Sequence, residues 1–184
     1  MNALVRPLSA VSALAALLLL SPVAAADAED KLPDLADVQS VIALFIENDP
    51  SMEDFFDDAY GYVVFPRVGK GGLGIGGAYG KGAVYVDSDV VGAATLKQAT
   101  FGFQMGGQQY AQVIFFRNES AFRDFIEGNY ELSAQATAIA ASAGAAATAA
   151  YDHGVTVFTI GISGLMYEAS VGGQKFKYWA LSDS

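Results

Sequence analysis

Three basic residues in a glycine-rich stretch are the side chains of this sequence best suited to binding chemistry. Between Tyr60 and Asp87 the chain reads YGYVVFPRVGKGGLGIGGAYGKGAVYVD, with Arg67, Lys70 and Lys81 and no acid from Gly61 to Val86. Arginine and lysine hold phosphate oxygens, and backbone N–H groups of glycine turns, here Gly69, Gly71, Gly72, Gly80 and Gly82, can add donors to the same anion. The spacing also invites a nucleotide reading, because Gly72-Leu73-Gly74-Ile75-Gly76-Gly77 and Gly69-Lys70-Gly71-Gly72-Leu73-Gly74 both fit GxGxxG. A dinucleotide site needs a helix directly after those glycines within a βαβ unit. No helical pattern follows here. The GxxxxGK[ST] spacing fails as well, since Ile75 stands where its first glycine belongs and Gly82 follows Lys81.

Catalytic and metal chemistry find less support. His153 is the only histidine, and its neighbour Asp152 would point to the opposite face if both lay on a strand. Gly161-Ile162-Ser163-Gly164-Leu165 misses GxSxG at its last position, so there is no nucleophile elbow. One histidine and no cysteine cannot build an ordinary zinc site. The acids Asp57-Asp58 and Asp87 with Asp89 lack EF-hand spacing and read as solvated side chains. The sequence therefore names no catalytic residue, no metal ligand and no cofactor, and an acidic chain without an arginine-rich aromatic face is no nucleic-acid binder.

The elements that must position the basic stretch can be read from period and punctuation. Leu35, Val38, Ile42, Phe45 and Ile46 recur at helical spacing. Asn48-Asp49-Pro50 ends that helix, and Ser51 is placed to cap a second one containing Phe55, Phe56 and Ala59. Strands are expected at Tyr62 to Phe65, ended by Pro66, at Leu73 and Ile75, and at Ala83 to Val86, with Gly80-Lys81-Gly82 as a hairpin turn. More are expected at Thr100 to Met105, Tyr110 to Phe116, Val155 to Ile162, Leu165 to Val171 and Gln174 to Trp179, with a short helix after Asn118. Residues 134–150 are dominated by alanine and read as a strand to about Ile139 followed by a connection of small residues. The fold expected is α+β, an N-terminal helical pair packed on a curved, mainly antiparallel sheet or partly closed barrel.

Charge is unevenly spread. The 184-residue chain carries a net charge of −10. Residues 27–58 hold eleven acids and one base, a net of −10, and residues 59–184 hold nine acids and eight bases, a net of −1. The acidity thus belongs to the helical segment. Arg6, the apolar run from Ala10 to Leu20 and Ala24-Ala25-Ala26 have the three parts of a secretory signal peptide over residues 1–26, with a short flexible start over 27–34 and one domain over 35–184. The run is shorter than the roughly 20 residues a spanning helix needs. With no cysteine the chain has neither disulfides nor a lipid-modified N-terminus, so a periplasmic or secreted location is expected.

Several separated stretches resemble the SYLF domain. They are Gly61-Tyr62-Val63-Val64-Phe65-Pro66-Arg67-Val68, Gly76-Gly77-Ala78-Tyr79-Gly80-Lys81-Gly82, Phe103-Gln104-Met105-Gly106-Gly107-Gln108 with Val113-Ile114-Phe115-Phe116, and Gly161-Ile162-Ser163-Gly164-Leu165. Where relatives commonly carry Gly-Pro, this chain has Ala143-Gly144-Ala145-Ala146. The resemblance implies a non-enzymatic lipid-binding module; the phosphoinositides and actin bound by other members suit an exported bacterial protein poorly. The expectation carried forward is peripheral association with anionic phospholipid through Arg67, Lys70 and Lys81 and the nearby glycine N–H groups. The alternative is a protein-interaction or self-association module that uses strand edges and the aromatic tail Phe176-Lys177-Tyr178-Trp179.

Overall fold

The structure, a computed structural model, describes residues 31–128, 132, 138–163 and 171–181, without the side chains of residues 73–75, 100–106 and 163. The expected signal peptide, residues 27–30 of the flexible start and residues 165–170 of the strand expected at Leu165 to Val171 lie outside the described residues. Helix α1, Leu35–Asn48, is capped by Asp34, whose side chain accepts from the Ala36 N–H at 2.9 Å. Its inward stripe is Val38, Val41 and Phe45; Leu35, expected in that stripe, is 41% exposed. Helix α2, Met52–Asp58, follows a corner built on Asp49. Ser51 does not cap α2 with its side chain: its hydroxyl donates to Asp49 Oδ1 at 2.6 Å.

Asp49 is buried, and its carboxylate also accepts the Ser51 N–H at 3.1 Å and the Ala146 N–H at 2.7 Å. Burial by itself would push this carboxyl up. The hydrogen bonds from Ala146, Ser51 and Gly144 outweigh it and hold the pKa below the ordinary 3.8. An acid that reads as a helix terminator in the sequence therefore ties the helical pair to the alanine-rich segment.

The short strands expected after Tyr60 merge into two long ones. Strand β1, Gly61–Val86, runs antiparallel to β2, Asp89–Phe116, from Gly61 opposite Phe116 to Val86 opposite Asp89. The chain reverses at Asp87-Ser88, both at positive φ (49° and 70°), which suits the right-handed twist of a two-residue hairpin. Gly80-Lys81-Gly82 does not turn: it lies within β1, opposite Leu96, Thr95 and Ala94. Its glycines serve close packing. A Cβ on Gly82 would lie 2.8 Å from the Phe65 ring, and one on Gly80 2.9 Å from Val68 Cγ2, so the two halves of β1 press against each other. Pro66 does not end the strand either, because the ladder accommodates it at a register shift between Phe65 and Val68.

Helix α3, Glu119–Ile126, follows β2 and is capped by the Asn118 side chain, which accepts from the Ala121 N–H at 3.0 Å. Strand β3 is only Ile139–Ala140, and a 3-10 turn over Ala146–Thr148 follows it; residues 133–137 of the expected alanine strand lie outside the described residues. Strand β4, Val155–Ser163, pairs with the end of β2, and β5, Lys175–Ala180, pairs with its beginning. The sheet order is β1-β2-β4-β3 with β5 on β2, antiparallel except for the β3–β4 pair. The fold is α+β, with a sheet that curves without closing into a barrel.

Two apolar clusters explain why Tyr62-Val63-Val64-Phe65 is continuously hydrophobic. Val63 and Phe65 point into one cluster, with Leu96, Phe125 and Phe176. Tyr62 and Val64 point into the other, with Phe45, Met52, Phe115 and Phe158 beneath the helical pair. A strand covered on both faces has no polar alternation to show. Phe55 and Phe56 lock α2 onto Phe115 at ring separations of 5.4 and 4.9 Å.

Candidate functional site

Arg67 and Lys81 come together, and Lys70 stands apart from them. Arg67 is exposed on the first half of β1 and Lys81 partly exposed on the second half. The folding of β1 on itself puts both on one shallow groove of about 340 Å³, together with Asp34, Asp37, Tyr79 and Gln109. Asp37 Oδ2 lies 3.6 Å from Arg67 Nη2, with the two side chains 53% and 62% exposed. Such a solvated pair contributes no more than about 1 kcal/mol, yet it places carboxylates beside the cations an anion would seek. Lys70 does not line this groove. It is partly buried opposite Gln108, and burial pushes its ammonium below its ordinary pKa.

The glycine N–H groups belong to the β1–β2 ladder rather than to a turn. Gly69, Gly71 and Gly72 stand opposite Gln109, Gly107 and Gly106. A nest of donors converging on one oxygen needs successive N–H groups in turn conformations, whereas strand N–H groups alternate in direction. Gly69 leaves open space where a Cβ would stand, with no atom within 4 Å, so a ligand can approach the backbone there.

Beside this groove lies a second, more basic one of about 390 Å³, lined by Lys31, Lys97, Lys175 and Lys177 with Tyr79 and Trp179. No carboxylate is among its described lining residues. The register explains the grouping. Tyr79, Lys97 and Lys175 form one row across β1, β2 and β5; Lys81, Thr95 and Lys177 form the next; Ala83, Ala93 and Trp179 form the third. Side chains two residues apart share a face, so all three rows project from the same side of the sheet. The third row starts beneath α1, where Ala83 is buried, and the first ends in solvent, where Tyr79 is 47% exposed. Lys177 Nζ sits 4.9 Å from the centre of the Trp179 ring, a cation–π arrangement.

The start of β5 is pinned from below. Gln174, fully buried, donates to Gln112 Oε1 at 3.1 Å and accepts from Gln112 Nε2 at 2.8 Å. The same amide donates to the Tyr110 hydroxyl at 3.2 Å. Burial pushes the Tyr110 phenol up to about 12 even though the Gln174 bond opposes that shift, so it stays neutral. Gln98 Nε2 donates to the Gly172 carbonyl at 2.8 Å. These bonds fix the backbone from which Lys175 and Lys177 project.

Sequence reasoning missed this second groove. Its lysines stand at wide separations in the chain, and only the β2–β5 register makes them neighbours. The available signal was the alternation Lys175-Phe176-Lys177-Tyr178-Trp179, which puts both lysines on one face of a strand. The aromatic tail is the strand expected there, and its side chains are engaged: Phe176 is buried in the core and the Tyr178 hydroxyl donates to the Val91 carbonyl at 3.1 Å.

The other candidates place as follows. Asp152 and His153 meet in a tight turn, with His153 at φ 50° and its Nδ1 2.7 Å from Asp152 Oδ1, so the opposite-face expectation for a strand does not apply. Asp87 is a turn residue. Among the described residues no group of three or more His, Cys, Asp or Glu side chains is arranged to hold a metal ion, and no helix is long and apolar enough to cross a membrane.

Residues 97–178 match the Ysc84 family, described as "Las17-binding protein actin regulator". The chain is also 32% identical over 167 residues to the beta cell expansion factor A of Aeromonas veronii, an alignment covering 90% of this chain and 62% of that protein. It thus spans less than two thirds of that relative's length. The Ysc84 match takes in Lys97, Lys175 and Lys177 and begins after Arg67, Lys70 and Lys81.

Proposed function

The chain belongs to the SYLF-domain family, and on that premise we propose that it is a non-enzymatic lipid-binding module of the cell envelope that engages anionic phospholipid head groups. Lipid binding is a property of the family, and neither the family nor the relative bears an enzyme's name. Arg67 and Lys81 supply the contacts from the β1 groove, with Lys70 a secondary contact and the open backbone at Gly69 giving a head group room to approach. The observation that supports this most is the shared groove of Arg67 and Lys81, which Tyr79 joins to a four-lysine surface. Each basic side chain near an anionic surface contributes about 1 kcal/mol, and Asp34 and Asp37 subtract from that sum. Binding of this kind is peripheral and salt-sensitive. The proposal places the protein in the periplasm or outside the cell after cleavage near Ala26. An assembly module is less favoured, because the aromatic tail it would use is a core strand.

Co-sedimentation with phosphatidylglycerol and phosphatidylcholine vesicles tests the reading. The expected result is binding to the first and little to the second, reduced by raised salt and by Arg67→Glu, Lys70→Glu and Lys81→Glu combined. Unchanged binding in that triple variant contradicts the assignment of these side chains.

A further inference from the structure

We infer that the cleft between the end of α2 and the segment before β4 is a binding site for a short peptide with free ends, its carboxylate taken by Arg117 and its ammonium by Asp58. The inference uses neither basic groove and does not depend on the membrane reading. The cleft measures about 550 Å³ and is lined by Asp58, Arg117, Ala149, Ala150 and Tyr151. Asp58 is the last residue of α2, which carries no basic residue in its final turn. Arg117 follows the end of β2, and its N–H donates to the Gly154 carbonyl at 2.9 Å. The guanidinium carbon stands 5.9 Å from the centre of the Tyr151 ring, a cation–π arrangement. Both charged residues are exposed, and among the described residues neither is held in an ion pair, so both charges are open to a ligand.

The two charges also act on one phenol. Burial pushes the Tyr151 hydroxyl up to about 12, with Arg117 pulling it down and Asp58 pushing it up, so it stays neutral and can both donate and accept. The walls are set in advance. The Tyr151 ring packs on Phe55 at 5.4 Å, the Ala150 carbonyl accepts from Thr156 Oγ1 at 3.1 Å, and the Ala149 N–H donates to the Ala146 carbonyl at 3.0 Å. Little order therefore has to be gained on binding.

The chemical class follows from the pairing of signs. A phosphate monoester or an anionic head group would meet Asp58 as well as Arg117, whereas a zwitterion satisfies both. The planar fork of arginine matches a carboxylate with two parallel bonds, and the Asp58 carboxylate accepts from an ammonium. The volume falls in the range of sites for drug-sized ligands, which is the size of a di- or tripeptide rather than of a single amino acid. Ala149 and Ala150 offer only short side chains, so recognition rests on the two ends of the peptide and not on its sequence.

NMR titration of the chain with trialanine, free at both ends, provides the test. Saturable shifts of the Arg117 and Tyr151 signals are expected, and N-acetyl-trialanine amide, which lacks both charges, should cause none. Arg117→Gln and Asp58→Asn should each weaken binding about tenfold, the loss of one hydrogen-bonded contact to a charged group. Arg117→Lys keeps the charge without the fork and should fall between wild type and Arg117→Gln. Arg67→Gln with Lys81→Gln should leave the affinity unchanged. Thermal midpoints of the cleft variants should match the wild type, which separates loss of a ligand contact from loss of the fold. Phosphoethanolamine, an ammonium joined to a phosphate, should bind more weakly than trialanine, and so should free alanine. Absence of saturable shifts, equal shifts with the blocked peptide, an unchanged affinity in Arg117→Gln, or tighter binding of phosphoethanolamine overturns the inference. None of these results bears on the vesicle test, which decides the lipid reading separately.

Discussion

The two basic grooves differ in what surrounds their cations. In the β1 groove Arg67 and Lys81 face Asp34 and Asp37 from the start of α1, so two positive charges meet two negative ones. In the β5 groove four lysines line the surface and no described carboxylate does. The sequence suggests the reverse emphasis, because residues 61–86 are free of acid while Lys175 and Lys177 sit in an aromatic run. Charge along a chain is not charge across a surface. The fold brings the acidic helix onto the basic stretch and assembles the lysines from two strands, β2 and β5, and a preceding segment.

This contrast can be broken most severely at the lysines. Reversing Lys97, Lys175 and Lys177 to Glu should cut binding to anionic vesicles at least about a hundredfold, against a smaller loss for Arg67→Glu with Lys81→Glu. Flotation of the two variants side by side checks it, and an equal loss would erase the difference between the grooves. The next largest effect concerns the corner that holds the acidic helix. Asp49→Asn should lower stability by about 1–3 kcal/mol, read from urea unfolding, because a buried carboxylate that accepts several hydrogen bonds is replaced.

The same corner predicts a pH dependence. The Asp49 carboxyl has its folded pKa depressed below 3.8, so its contribution to stability is present above that ordinary value and is lost as pH falls through the folded one. Midpoints of urea unfolding in the wild type should therefore fall in acid below about pH 3.8 by a larger margin than in Asp49→Asn. A smaller effect tests charge compensation in the β1 groove. Asp37→Asn removes the Arg67 partner and should strengthen vesicle binding by up to about fivefold at low salt, fading as salt screens the surface. The smallest effect is expected for Trp179→Leu, which removes the ring beneath Lys177 and should weaken binding to anionic vesicles by about twofold to threefold.

Much of the frame was legible before any coordinates. Asn118 starts a helix as a short polar cap does, and Pro50 follows the end of α1 because it cannot continue a helix, whereas the cap at Asp34 was not read and Ser51 turned to Asp49 instead. The strand content and α+β class followed from β-branched and aromatic runs. Gly80-Lys81-Gly82 misled because glycine serves two purposes, reversal and close approach, and only the positions of Phe65 and Val68 distinguish them. The true reversal, Asp87-Ser88, carried no glycine signal. Of the candidate site, Arg67 and Lys81 were legible as a pair of cations, and their acidic neighbours were not, since Asp37 meets Arg67 only through the packing of α1 on β1. The lysine groove depended on a register between β2 and β5 that no local pattern encodes.

The central claim, that this domain binds anionic lipid surfaces through exposed basic side chains, is tested most directly by flotation of the wild-type chain. Vesicles of phosphatidylcholine should carry increasing amounts of phosphatidylglycerol, at low and at raised salt. Bound protein should rise steeply with the anionic fraction and fall as salt is raised. Binding that is indifferent to both, or absent at every composition, would contradict the account.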